Sequence, residues 1–170
     1  MSIFFNADEI FQMGLRIEVN GKEFYETVAK KSSDGSVKQF FSDLATWESE
    51  HIRFFNRLRE GLSDSAKRGS TFDPGQELLL YLQSTADSHV FLKNQHIDEL
   101  ASRCQTVVDA LDLAMAFEKD SVVFYTMMKK VTPEEFGKKE IDGLIDEELK
   151  HIAMLHQKKK EWEKREKTIL

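Results

Sequence analysis

Displaced by 100 residues, the chain falls on itself without a gap, and the coinciding positions include residues that a packed interior seldom accepts. Glu18 lies over Glu118, Tyr25 over Tyr125, Glu48 over Glu148 and His51 over His151. Phe24 over Phe124, Leu44 over Leu144 and Ile52 over Ile152 accompany them. The apolar background repeats in kind, pairing Phe11 with Leu111, Leu15 with Met115, Ile17 with Phe117, Phe41 with Ile141 and Phe55 with Leu155. A repeated unit that cannot bury its own apolar face must pack against its copy.

The second segment of each copy carries the conflict. In WESEHIRFF, residues 47–55, the series Leu44, Glu48, His51, Phe55 and Leu58 steps by four, three, four and three, the inward seam of a packed helix. Glu48 and His51 thus occupy the seam itself, where a carboxylate without a partner is strongly unfavourable. A single Glu-x-x-His has a simple explanation: the two side chains bond each other or a neighbouring helix. With five histidines in a Glu-rich chain, roughly half a copy arises by chance. Two copies in register, each preceded by its own glutamate, leave that explanation weak.

In 170 residues there are only 8 glycines and 2 prolines, which favours long helices over a turn-rich β fold, and the length suits one domain spanning 1–170. Asn6 with Glu9 forms a capping-box pattern that opens a first helix to about Lys31, with Phe11, Leu15, Glu18, Tyr25 and Val28 on one stripe. SSDGS breaks it, and Ser36 with Gln39 opens a second helix to about Leu62, making an antiparallel hairpin. Residues 63–75 read as a loop, and after Pro74 the run QELLLYLQSTADSHVFLKN reads as a connecting helix. A third long helix starts between Ser102 and Thr106 and continues to about Val131. Thr132, Pro133 and Glu135 then suggest a capping box with proline at the first turn of a fourth.

The expected architecture is all-α, a four-helix bundle of two hairpins, about 6–62 and about 103–167. A crossover, 63–102, carries its own helix because helices of ~25 residues are ~38 Å long and the chain must return along them. Apolar residues on that crossover, Leu78, Leu79, Leu80, Leu82, Val90 and Phe91, exceed what one bundle need bury and lead us to expect a homodimer.

A net charge of -6 opposes nucleic-acid binding, and the lysines of QKKKEWEKREK are interrupted by glutamates, as on a solvated helix extension. One cysteine, Cys104, leaves no internal disulfide and no Cys-x-x-Cys motif. No stretch approaches the ~20 apolar residues of a membrane span, and the start lacks the pattern of a signal peptide. A cytoplasmic location, with neither membrane nor nucleic acid as partner, is the expectation.

Packed about a pseudo-two-fold axis, the two hairpins aim four carboxylates and two imidazoles at one point. Left alone, four negative charges would raise one another's pKa values or draw water in; two divalent cations neutralise them. Hard carboxylates with imidazole suit iron or manganese, whereas zinc favours a closed tetrahedral set with fewer carboxylates.

With these residues in place the chain resembles the ferritin-like superfamily of di-iron carboxylate proteins, and within it is most similar to the rubrerythrin family. The shared pattern is a glutamate from each of two helices and Glu-x-x-His from each of the other two. The resemblance implies a ferritin-like bundle holding two iron ions per chain. Glu48 and Glu148 would bridge them, Glu18 and Glu118 would be terminal ligands, and His51 and His151 would each take one metal. It also implies that Tyr25 and Tyr125, two turns beyond Glu18 and Glu118, hydrogen-bond to carboxylates around the site and orient them. The activity implied is an oxidoreductase, reducing hydrogen peroxide or dioxygen in defence against oxidative stress.

Two departures from the family pattern stand out. Rubrerythrins typically carry a further glutamate three residues after the third-helix glutamate; here that position is Ser121, with Gly21 at the equivalent place in the first copy. Two such small residues either leave room for a small oxidant or allow close helix contact. The second departure is the rubredoxin-type domain, for which this sequence has neither the length nor the cysteines, so electrons are expected from an external donor protein. The same ligand set also admits iron binding with ferroxidation or storage, or metal-dependent sensing or scaffolding. His89 and His96 match nothing in the repeat and read as surface residues, His156 falls on another helical face than His151, and Met127 and Met128 read as core packing.

Overall fold

The computed structural model describes residues 6–68, 80, 84–85, 89 and 96–168. Among these the secondary structure is entirely helical. The helices are α1 (Ala7–Lys31), α2 (Gly35–Glu60), α3 (Asp64–Arg68), α4 (Ile97–Arg103), α5 (Val107–Val131) and α6 (Lys138–Thr168), with a 3-10 turn at Glu134–Phe136. No helix among the described residues is long and apolar enough to cross a membrane. Of the expected connecting helix after Pro74, only Leu80, Ser84, Thr85 and His89 are among the described residues, the first three helical and Leu80 exposed; the other apolar residues expected on it lie outside them.

The helix starts follow local chemistry. At α1 the Asn6 side chain accepts from Glu9 N, and the Glu9 carboxylate accepts from Asn6 N, both at 2.9 Å. The repeat position does the same with other residues: Thr106 and Asp109 form the capping box of α5. Three expectations are corrected. The cap of α2 is Asp34, whose carboxylate accepts from Ser36 N and Val37 N, so the helix starts one residue before Ser36 and needs no Ser36–Gln39 box. Residues 64–68, read as loop, form α3 because the Ser63 hydroxyl accepts from Ala66 N. The box at Thr132 and Glu135 does not form: the Thr132 hydroxyl donates back to Met128 O, and the chain makes a 3-10 turn ending at Gly137. Gly137 has φ +88°, a left-handed conformation that a side chain would strain, and α6 begins just after it.

α1 packs along α2 and α5 along α6, and the two hairpins meet through α1 and α5. Arg59 at the end of α2 bonds Asp8 at the start of α1 through two nitrogens, at 2.8 and 3.2 Å. Its repeat counterpart Lys159 reaches Asp112 on α5 at 2.5 Å. Burial repeats as well as sequence. The order of buried, half-buried and exposed residues over 11–25 recurs position for position at 111–125, and that over 51–60 at 151–160. Phe11, Phe24, Phe41, Phe55, Phe117 and Phe124 fill the interior around two fully buried tyrosines.

The large rings need small partners. A β-carbon on Gly21 would come within 2.5 Å of the Phe117 ring, and one on Gly14 within 2.5 Å of the Phe55 ring. Gly21 is thus explained by close packing, and the space beside it is filled by Phe117. Gly21→Ala should therefore destabilise the fold by about 1–3 kcal/mol through overpacking, read from the urea midpoint. Adding Phe117→Leu should recover part of that loss; no loss in the single variant would show that the ring moves aside freely.

Candidate metal centre

The helical seams bring all six sequence-identified Glu and His residues into one buried cluster. Glu18, Glu48, Glu118 and Glu148 are each at most 1% exposed, and His51 and His151 are 3% and 4% exposed. They fall into two overlapping donor groups, Glu18, Glu48, His51 and Glu148 in one and Glu48, Glu118, Glu148 and His151 in the other. In each group the donor atoms all lie within 4.8 Å of one another, and Glu48 and Glu148 belong to both.

Both imidazoles present Nδ1 to the carboxylates. His51 Nδ1 lies 3.2 Å from Glu18 Oε2, 3.3 Å from Glu48 Oε2 and 3.1 Å from Glu148 Oε1. One N–H cannot satisfy three carboxylates. His151 Nδ1 sits 3.1 Å from Glu148 Oε2 and 3.7 Å from Glu118 Oε1. Both oxygens of Glu48, with Glu118 Oε2 and Glu148 Oε1, are left buried without a hydrogen bond among the described residues. Each such orphan costs on the order of 1–3 kcal/mol, more when charged. A cation among them would meet that deficit, so the donor set fits the metals that it suggests.

The tyrosines close the arrangement reciprocally. Tyr25 from the first copy donates to Glu118 Oε1 at 2.5 Å, and Tyr125 from the second donates to Glu18 Oε1. Burial, reinforced by the Glu118 and Glu18 charges respectively, pushes both phenols well above their ordinary pKa, so they remain O–H donors. Their rings sit in an aromatic wall, Tyr25 against Phe41 and Phe117 and Tyr125 against Phe55.

Three residues near the cluster escape a search for repeats. Glu147 accepts from His51 Nε2 at 3.0 Å. Trp47, which the offset places opposite Glu147, stacks on the His151 ring with centroids 5.2 Å apart and planes 14° from parallel. His89, expected at the surface, is fully buried: its Nε2 lies 3.3 Å from Ser121 Oγ and its ring packs edge-on to Phe117. Burial lowers its pKa to about 4, keeping it neutral. The space opened by Ser121 is thus taken by His89. The other two expectations hold, for His96 and His156 are exposed.

Without metal, the cluster holds protons instead. Burial and then the Glu18 charge raise Glu48 well above the carboxylate range, and burial and then Glu148 do the same for Glu118. Burial alone would lower the histidines, but surrounding carboxylates override it, raising His51 strongly and His151 to about 9. Burial opposes ionisation of Glu148 too, yet His51 and His151 hold its pKa below the usual range.

Comparison with known proteins agrees with this geometry. Residues 9–83, which include Glu18, Glu48 and His51, match the family model described as Rubrerythrin. A Thermotoga maritima protein, provisionally described as a ferritin-like diiron-carboxylate protein, has a similar structure, with a TM-score of 0.68 at 21% identity. The match covers 93% of this chain and 97% of that one. No curated protein matches the sequence. The fold is therefore ferritin-like. Within that fold the stretch 9–83 is similar to rubrerythrins, and the buried Glu and His cluster is one that could hold metal.

A pH dependence follows for the metal-free protein. Glu48, Glu118, His51 and His151 all bind protons more tightly folded than unfolded, so stability falls as pH rises. The His151 contribution is complete below its ordinary 6.5 and lost as pH passes about 9. Glu148, shifted the other way, acts only in acid. The Tm of chelator-treated protein should fall across that window, while bound metal, which needs deprotonated ligands, should raise Tm more at higher pH. A metal-free Tm that stays flat or rises over the same window contradicts the proton-filled cluster.

Proposed function

We propose that the chain is a di-iron oxidoreductase that reduces hydrogen peroxide, or dioxygen, with electrons from an external donor protein. The observation that carries this reading is the sharing of Glu48 and Glu148 by two donor groups, four of whose carboxylate oxygens lack a hydrogen bond among the described residues. Shared carboxylates suit a pair of cations with Glu48 and Glu148 between them, Glu18 and His51 at one end and Glu118 and His151 at the other. The likeness to rubrerythrins favours iron over manganese as the ion, which the hard donors alone do not decide.

With two iron ions bound, the site can supply the two electrons that, with two protons, convert hydrogen peroxide into two water molecules. The chain's own groups prepare that chemistry. Tyr25 and Tyr125 hold Glu118 and Glu18 in place by donating one hydrogen bond to each. The phenylalanine wall keeps bulk water from the carboxylates and strengthens their electrostatic interactions. His51 hands its outer N–H to Glu147, which fixes the ring with Nδ1 toward the cluster.

Anaerobically iron-loaded protein should consume hydrogen peroxide over many turnovers when a chemical reductant is present. A single oxidation of bound iron without turnover would favour ferroxidation or storage instead. Glu48→Ala and Glu148→Ala should each lose metal at one or both positions and reduce peroxide consumption to background. Retention of two metals by either variant would contradict the bridging assignment.

A further inference from the structure

The two donor groups are alike in composition, each with three carboxylates and one imidazole, and they share two of those carboxylates. They differ one layer further out. His51 hydrogen-bonds through Nε2 to Glu147, whose side chain is 55% exposed. The repeat puts Trp47 where Glu147 stands in the second copy, and Trp47 lies flat on His151 instead. An anionic acceptor on the far nitrogen makes an imidazole a better donor to a metal, and losing such a partner typically costs about 10–100-fold in metal affinity. A stacked indole offers no comparable charge.

Access differs in the same sense. A surface cleft of about 340 Å³ is lined by Trp47, Glu50, Glu147, Lys150, His151 and Met154. His151 forms part of its wall and His51 does not. An ion at the His151 end would thus lack the carboxylate backing that Glu147 gives His51, and would lie beside the cleft that His151 lines.

We propose that the two metal positions are inequivalent, the Glu18–His51 end filling first and binding more tightly, and the Glu118–His151 end, beneath Trp47, filling second and exchanging more readily. Glu147 and Trp47 act as positioning residues that break the symmetry of the repeat. This rests on the reading that the six residues hold two divalent ions, and it concerns the order and strength of their binding.

Cobalt(II), a paramagnetic ion that quenches nearby tryptophan fluorescence, tests it without any turnover. The chain has two tryptophans, so Trp162→Phe leaves Trp47 as the sole reporter. Titration of this variant should show two binding steps in cobalt absorption, with the larger part of the Trp47 quenching on the second equivalent. Adding Glu147→Gln, which keeps an amide acceptor but removes the charge, should weaken the first step about 10–100-fold and draw the two steps together. Adding Trp47→Phe in the wild-type background should leave the first step in place and shift only the second. Quenching that comes with the first equivalent, or an unchanged first step in the Glu147→Gln variant, overturns the proposal. Two ions taken up in one unresolved step overturn it alone, leaving the two-ion site intact; uptake of fewer than two ions overturns both.

Discussion

Four carboxylates crowded into a water-excluded interior are the constraint around which this molecule is arranged. Their mutual repulsion and burial would normally forbid such a core, and the structure answers in part with two imidazoles and two phenolic O–H groups. Those donors fall short: four carboxylate oxygens keep no hydrogen bond among the described residues. Cations bound there would complete the balance, and would let the fold tolerate a polar centre at the cost of metal-free stability.

The reciprocal tyrosine bonds tie that centre to the architecture. Each hairpin sends a phenol into the carboxylate of the other, so neither copy completes its half of the site alone. Around this axis the burial pattern repeats with the sequence, and so do the capping boxes at Asn6 and Thr106 and the ion pairs of Arg59 and Lys159. Symmetry fails where packing demands it. Phe117 replaces Ile17 in the second copy, and Gly21 in the first makes room for its ring.

Much of this was legible because a repeat exposes residues whose burial is otherwise unfavourable. Glu18, Glu48, His51 and their counterparts stood out since chance seldom duplicates a polar group in an apolar seam, and the structure brings all six together. Glu147 and Trp47 leave no such mark, because they stand at a position where the two copies differ. His89 leaves none for another reason. It comes from the crossover, which has no counterpart in the repeat, and only tertiary packing carries it to Ser121. The starts of α2, α3 and α6 were misread where several polar residues competed to cap. Asp34 prevailed over Ser36, Ser63 nucleated a turn that composition concealed, and the left-handed Gly137 set the start of α6 in place of Thr132.

The central claim is that the cluster is built for two cations bridged by Glu48 and Glu148. Anomalous diffraction at the iron edge from crystals of anaerobically iron-loaded protein tests it most directly. The account predicts two anomalous peaks within the cluster, both contacting Glu48 and Glu148, one beside His51 and the other beside His151. A single peak, or iron bound only at the surface with the six side chains still bonded to one another, would contradict it.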